Sequence, residues 1–517
     1  MPATWLDHLI GYFAPGAGER RLIERAKLEA RIRSYAGANK NRQSGGWTPK
    51  GASANAELSV SLPALRNRMR DLVRNNPHAA KAVSTIVVHA IGTGIVPRAK
   101  TGNKGRDRKI MAEWDTWTKS CHSKGLLDFY GLQTLVCREF IEAGEVLIRK
   151  RIRRGTSAAV PLELQVLEAD LLDTSRDGPV GNGVTAYQGI EQDASDRPSG
   201  YWLFPRHPGD SGTWSLEANG FRSLRVPAAE IAHVFEMRRD QSRGEPWGVA
   251  AIAGLRDLDD YRDSEMMRKK IEACAVGVVT GGDETDMGVG IPLDDSEAAA
   301  LRGVYDSSGA TVDRFEPGMF LYARGGKQIT FNSPAATGSY EAYKRASLQD
   351  IAAGFRVPYE LLSGDLAHVS YISGRLGLQE FYRLVEVIQW QILVPAFCQR
   401  VWDWFCEVAY TAGKIPLASV PVEWAPPRMP AVDPMKQAMA DVIDLRAGLR
   451  SHAEIVQERG RPPSDVLAEI AEFNAAVDAA GIVLDSDPRK VAKSGASQVA
   501  EAVATDPGTP GGRSEAS

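Results

Sequence analysis

The chain has 517 residues, of which 43% are hydrophobic, 25% charged and 8% aromatic, with a formal net charge of −3. That length suits roughly three or four domains of ~150 residues, and the composition suits a soluble globular protein with a sizeable core rather than a disordered one. A near-neutral balance argues against a surface that grips nucleic acid everywhere, and five scattered cysteines with no CxxC pair argue against a disulfide framework or a zinc site.

Free thiols in a reducing cytoplasm are the simplest reading of Cys121, Cys137, Cys274, Cys398 and Cys406. No run of ~18 apolar residues is present, so no membrane association is expected. The apolar start, Met1 to Phe13, lacks the basic segment of a signal peptide, which points to an intracellular chain.

In chain order, residues 1–60 read as an N-terminal arm: an apolar piece, a basic helical segment from Glu19 to Tyr35, and a Gly/Ser/Asn-rich linker. The arm is expected to be mobile until assembly. Over residues 62–90, Leu65, Met69, Leu72, Val73, Ala80 and Val83 recur at helical spacing, and Pro77 should interrupt or restart the helix. Trp114 and Trp117, three apart on another helix, are expected to pack a core.

From Asp128 to Arg238 the pattern is mixed: a helix over Leu132–Ala143, then strands at Glu145–Arg153, Glu163–Leu167, Gly189–Glu191, Tyr201–Phe204 and Ile231–Phe235. Gly248 to Ala275 predicts a helix with Ile252, Leu255, Leu258 and Met266 near one stripe. Val276 to Ser333 is Gly-rich with short strand-like runs, read as a small α/β module, and Gly338 to Phe355 is helical again. Arg375 to Tyr410 predicts the longest helix, with Leu376, Phe381, Leu384, Val385, Ile388 and Ile392 as its apolar stripe and a kink at Pro395. A Pro-rich bridge, Ile415 to Pro434, leads to a mainly helical region, and the tail 491–517 is expected to be disordered.

The most enzyme-like signal is Gly209-Asp-Ser-Gly212, similar to the nucleophile motif of trypsin-like serine proteases, with His89 upstream and Asp170 as an imaginable carboxylate. Thr213 stands where that family has glycine, His89 lies in a helical run, and the surroundings are not all-β, so a hydrophilic turn is the preferred reading. There is no GxxxxGK[ST] loop to cradle phosphates, and Gly92-Thr-Gly94 and Gly281-Gly282 read as plain turns. The eight histidines are dispersed, without HExxH; His207 reads as a loop residue and His233 as a strand residue. No catalytic residue, cofactor or metal is therefore assigned.

Two basic clusters remain. Arg66, Arg68, Arg70 and Arg74 line a helix, and Arg149-Lys-Arg-Ile-Arg-Arg154 forms a run. Either could contact phosphate by charge alone or dock an acidic face of a neighbouring subunit; no interleaved aromatics support base stacking.

The stretch Asp350-Ile-Ala-Ala-Gly-Phe-Arg-Val-Pro-Tyr-Glu-Leu-Leu-Ser-Gly-Asp365, followed by Tyr371-Ile-Ser-Gly-Arg375, sets a helix end against Pro358, then a polar loop, then a long helix. This resembles the phage portal proteins of the lambda family. The resemblance covers residues 60–475 and includes Arg70 to Ala80 with Gly92-Thr-Gly94, Asp193 to Pro208, Arg225 to Phe235, Gln241 to Trp247, Leu255 to Tyr261 and Asp433-Pro-Met-Lys436. Ile372 and Gly374 depart from the Ser/Ala-rich run the family more often has before the arginine.

The resemblance implies an α+β, mainly helical portal fold and a dodecameric ring at one capsid vertex, in the virion and, during assembly, the host cytoplasm. It implies a wing at 61–247, stem helices at 248–275 and 336–355, a clip at 276–335 and a channel loop at 356–374. The long kinked helix and its bridge to the wing would follow at 375–430, and the crown at 431–490. The implied partners are other copies of the chain, terminase, the major capsid protein or scaffold, the head–tail connector, and double-stranded DNA passing without sequence specificity. Within the loop, Ser370, Tyr371 and Ser373 would make exchangeable contacts, with His368 and Arg375 as positive exceptions. Two other readings stand beside this one: a serine hydrolase using Ser211, and a basic DNA-binding adaptor.

Overall fold

The structure, a computed structural model, describes residues 51–153, 158–181, 183–210, 222–273, 277–281, 320–322, 327–331, 340–367, 369–427, 434–459, 461, 463–484, 487 and 489. The expected basic helix of the arm, Ser211 and the tail 491–517 lie outside them.

Helices α1 (Ala54–Asn75) and α2 (Pro77–Ile91) meet at Asn76, whose side chain accepts from the backbone N–H groups of His78 and Ala79 while Pro77 takes the first helical position. That is the restart expected at Pro77, with the proline where its missing donor does no harm. α1 begins earlier than the sequence suggests and carries Pro63 inside it. After β1 (Val96–Ala99) come α3 (Lys104–Thr118) and α4 (Phe129–Ala143). On α3, Trp114 is fully buried, with ring centroids 5.0 Å from Trp117 and Trp402 and 5.1 Å from Phe129 and Phe405. The two tryptophans are core residues, as their spacing predicts.

β2 (Glu145–Ile152) is the middle strand of an antiparallel sheet with β3 (Leu162–Glu168) and β9 (Ile231–Phe235). Between β3 and β9 in the chain, β4 (Gly178–Gly181), β5 (Val184–Tyr187), β6 (Ile190–Gln192), β7 (Pro198–Leu203) and β8 (Leu224–Pro227) form a five-stranded meander. Alternation along β2 sends Val146 and Ile148 into the large core and Leu147 into a second cluster with Tyr201, Leu203 and Val226 of the meander. Both faces of the central sheet are therefore covered.

α5 (Ile252–Ala273) is followed by β10 (Gly277–Gly281), which pairs parallel with β11 (Phe320–Tyr322) and antiparallel with β12 (Lys327–Phe331), and then by α6 (Tyr340–Phe355). The predicted stripe on α5 holds only in its first half: Ile252, Leu255 and Leu258 are buried, but Met266 is 54% exposed. Beyond Leu258 the helix makes local ion pairs such as Asp259–Arg262 at 3.3 Å, and Tyr261 packs against Tyr340 and Tyr343 of α6.

The short α7 (Tyr359–Ser363) precedes α8 (Tyr371–Val387), which runs on through a π-helical stretch, Ile388–Cys398, into α9 (Gln399–Thr411). Pro395, which has no backbone N–H to donate, lies inside the π-helical stretch, where the regular i→i+4 pairing of the helix is interrupted. In that stretch the buried Gln389 side chain donates to the Ala90 and Pro427 carbonyls. Phe381, Val385, Ile388 and Ile392 are buried as expected, whereas Leu376 is 62% exposed.

In the Pro-rich bridge, β13 (Val422–Ala425) pairs with β1. The chain then forms α10 (Pro434–Arg446), α11 (His452–Glu458) and α12 (Pro463–Ala480). Among the described residues no helix is long and apolar enough to cross a membrane. Cys121, Cys137, Cys398 and Cys406 are buried free thiols, and burial pushes those of Cys121, Cys137 and Cys406 up to about 12.

One buried carboxylate ties these pieces together. Gly144 ends α4 at φ +92°, where a Cβ would lie 2.2 Å from the Glu245 carbonyl carbon, so only glycine lets the chain turn directly into Glu145. Glu145 Oε1 then accepts from Arg66 at 2.7 Å and Arg243 at 2.6 Å, while Oε2 meets His233 Nε2 at 3.0 Å and accepts from the Gly244 N–H at 3.1 Å. Burial alone would raise this carboxyl's pKa; the Arg243 charge, hydrogen bonds from His233 and Arg243, and the Arg66 charge override it and hold it far below the usual carboxylate range. A depressed pKa contributes stability that is present above the ordinary carboxylate range and fades as pH falls towards the lowered value. Glu145→Gln is expected to destabilise the fold by about 3–5 kcal/mol, because Arg243 stays buried without its counter-charge and Arg66 keeps only its longer contact with Asp170. The gap between thermal melts of parent and variant should narrow as pH falls from ~pH 7 to ~pH 3 without closing, because the parent's carboxyl stays ionised until the pH nears its lowered value.

Candidate functional site

The connection from α6 to α8 is built residue by residue. At the end of α6, Val357 N donates to Ala352 O and Arg356 N to Ala353 O, each at 3.0 Å, a Schellman arrangement that places Arg356 at φ +59°. Glycine usually fills such a position. Here arginine is retained by partners: its guanidinium lies 4.2 Å from the Trp247 ring centroid and donates to Glu236 at 3.0 Å, while Trp247 Nε1 donates to the Phe355 carbonyl at 2.9 Å.

Pro358 starts α7, and Gly364 ends it at φ +75° with its N–H on the Glu360 carbonyl. Asp365 follows. Its Oδ2 accepts from Arg345 of α6 at 2.7 Å and from the Tyr359 hydroxyl of α7 at 3.2 Å, its Oδ1 accepts from Ala367 N at 3.1 Å, and its own N–H donates to Ser363 Oγ at 3.1 Å. The backbone bond from Ala367 and then Arg345 hold this carboxyl below its ordinary pKa. Leu366 is 69% exposed.

Ser370 caps α8, accepting from Ser373 N at 3.2 Å while Ser373 Oγ accepts from Ser370 N at 3.1 Å, a reciprocal capping box. Gly374 leaves room beside it: a Cβ there would lie 2.9 Å from Val369 Cγ1.

Residues 356–374 are therefore not one continuous loop. They hold α7 and the first turn of α8, and the connection proper is 364–370. The long helix starts at Tyr371 rather than near Arg375 because Ser370 and Ser373 cap it. Ser370, Ser373 and Arg375 are exposed around that start; His368 is outside the described residues, and of Tyr371 only the backbone is described. Asp365, Arg345 and Arg356 were not singled out from the sequence, since nothing local reveals partners on α6 or at Glu236 and Trp247.

The basic clusters take different places from those expected. Arg66 is buried against Glu145 and also reaches Asp170 at 3.4 Å, and Arg70 binds Asp170 at 2.8 Å and Glu168 at 3.1 Å. Both are paired with carboxylates of the same chain. Arg68 and Arg74 are exposed. In the second run Lys150 binds Glu407 at 2.6 Å and Arg153 binds Glu163 at 3.0 Å, with Arg149 3.8 Å from Glu230.

The triad imagined around Ser211 is not assembled from its other two members. His89 packs edge-on against Phe381 and at a tilt against Tyr382, with centroids at 5.3 and 5.5 Å, whereas Asp170 is bound by Arg66 and Arg70. Burial, then Lys81, holds the His89 imidazole below its ordinary pKa. Among the described residues, Glu168, Asp170 and His207 bring ligand atoms within 4.8 Å of one another, a set that could hold a metal ion. Arg70 already supplies a cation to both carboxylates there.

The left-handed Arg356 gives a direct test of this connection. Arg356→Ala should lower stability by about 1–2 kcal/mol through loss of the ring and carboxylate contacts, and Arg356→Gly should recover about 1 kcal/mol of it by removing the backbone strain. Chemical denaturation of the two variants checks that order.

Comparison with known proteins gives one consistent result. The profile of the family described as "Phage portal protein, lambda family" matches residues 40–389. A probable portal protein of Halomonas phage phiHAP-1 is 27% identical over 462 residues, covering 85% of this chain and 86% of that protein. Portal protein B of Escherichia phage lambda is 21% identical over 505 residues, covering 87% and 92%. Among solved structures, the neck of a native gene transfer agent particle aligns with TM-score 0.45 at 16% identity, covering 82% of this chain and 99% of that one.

Proposed function

Since the chain belongs to the lambda family of phage portal proteins, we propose that it forms the dodecameric ring at one capsid vertex through which double-stranded DNA is packaged and later ejected. The single observation that carries this reading is the family match over residues 40–389, which includes the α6–α8 connection. In this proposal the ring docks terminase during packaging and the tail connector afterwards, contacts the major capsid protein or scaffold, and resides in the virion after assembly in the host cytoplasm.

The architecture is compatible with the proposed division of labour. The two sheets and the aromatic core before Trp247 would form the wing, α5 and α6 the stem, and the small sheet between them in the chain the clip. The connection 364–370 would be the channel loop, α8 through α9 its support, and α10 to α12 the crown.

A conduit needs weak contact with its cargo, because each firm phosphate contact would hold the duplex in place. Internal pairing of Arg66, Arg70, Lys150 and Arg153 supports that reading, and every copy adds a net charge of −3. Ser370 and Ser373 are exposed hydroxyls able to exchange partners quickly, with Arg375 as the nearby cation. No catalysis belongs to this role.

Deleting residues 366–369 is expected to leave rings visible by negative stain and to reduce packaged DNA; failure of the rings to form would count against a channel role. The purified protein should show no ATP hydrolysis, and turnover abolished by a point change in this chain would overturn the non-enzymatic reading.

A further inference from the structure

The connection 364–370 has little apolar packing of its own. Gly364, Leu366, Ala367 and Ser370 are exposed, and only Asp365 and Val369 are half-buried among its described residues. An exposed segment of this kind ordinarily samples many conformations. Its two ends nevertheless carry separate anchors. At the far end Val369 sits against Gly374 and the Ser370–Ser373 capping box closes the first turn of α8. At the near end a single carboxylate collects a guanidinium from α6, a phenol from α7 and a backbone N–H from the connection itself.

We propose that Asp365 is a positioning residue for the channel loop: held by Arg345 and Tyr359, it fixes where the loop leaves the α6–α7 unit, so that the exposed residues after it project from a defined base. The proposal rests on the channel reading of this connection. Hydrogen bonds at a partly exposed site suit the task better than a buried apolar anchor. They can break and re-form while the surrounding helices keep their packing, so the loop can yield under a passing duplex and return. Arg345 and Tyr359 are on elements that are packed independently, through Leu348, Ile351 and Phe355 of α6 and Leu362 of α7. Removing the carboxylate should therefore free the loop without unfolding its neighbours.

The experiment compares full-length parent, Asp365→Ala, Tyr359→Phe and the charge exchange Arg345→Asp/Asp365→Arg by hydrogen exchange on assembled protein. Asp365→Ala is expected to speed amide exchange in the 364–370 peptide by roughly tenfold, leave peptides from α6 and α8 at parental protection, and lower the amount of DNA packaged. Tyr359→Phe should show a smaller change in the same peptide, and the charge exchange should restore only the share of protection that the ion pair supplies, since an arginine at position 365 cannot accept from the Ala367 N–H or the Tyr359 hydroxyl. Unchanged exchange in Asp365→Ala, or loss of protection spreading through α6 and α8, would overturn the positioning role. So would a loosened loop with parental packaging. Failure of the underlying channel reading is read separately, as full packaging by the 366–369 deletion or absence of rings from the parent protein.

Discussion

The rest of the large domain depends on one buried negative charge. Glu145 stands where α4 turns into the central strand, and the bonds to its two oxygens draw in α1 through Arg66, β9 through His233, and the 241–244 segment through Arg243 and the Gly244 N–H. An ion taken out of water at that depth is tolerated only with full compensation. The need for compensation fixes the relative placement of these chain segments more strictly than apolar contact would, because hydrophobic packing has no direction. Trp247 lies just after this network and reaches forward to Phe355 and Arg356. The carboxylate and the connection from α6 to α8 are thus linked through the chain from Gly244 to Trp247 and the contacts at its two ends.

That network also changes how the basic residues are understood. Four arginines at i, i+4 and neighbouring positions of α1 look from the sequence like one cationic stripe. In the fold they divide by the partners within reach: Arg66 and Arg70 turn inward to Glu145, Asp170 and Glu168, Arg74 one turn further on the same flank is exposed, and Arg68 is exposed on the other. The acidic partners lie 79 and 104 positions away from Arg66, a separation at which sequence spacing carries no information about pairing. A local pattern of like charge was therefore a poor guide to function, although it identified residues that matter to the fold.

Local signals did better where the physics is local. Asn76 before Pro77 marks a helix restart, Trp114 and Trp117 mark a buried face, and the alternation in 145–153 marks a strand, all within a few residues. The short strands β1 and β13 were not legible, since a four-residue strand beside prolines gains its identity only from the partner it finds. Met266 and Leu376 fit helical stripes yet stay exposed, because periodicity shows which face is apolar and not how far along the helix another element covers it. In the candidate loop, the helix end at Pro358 and the polar character of 363–370 were readable. The left-handed arginine, the earlier start of α8 and the gathering of donors on Asp365 were not.

Gly374 illustrates why a departure from a family pattern is best judged by its neighbours. In sequence it is an odd residue in the first turn of a helix, where glycine lowers helix propensity by about 1 kcal/mol relative to alanine. In the fold the missing Cβ is the space that Val369 Cγ1 occupies, and the reciprocal bonds of Ser370 and Ser373 close the same turn. The helix therefore gives up some intrinsic stability at its first turn, and the connection gains a definite end point. Together with Asp365 at the other side, that arrangement leaves a short exposed segment held at both ends; in the proposed channel role it would touch a passing duplex without gripping it. Length, anchoring and weak contact are then properties of the same few residues, so a change that strengthens one is expected to disturb the others.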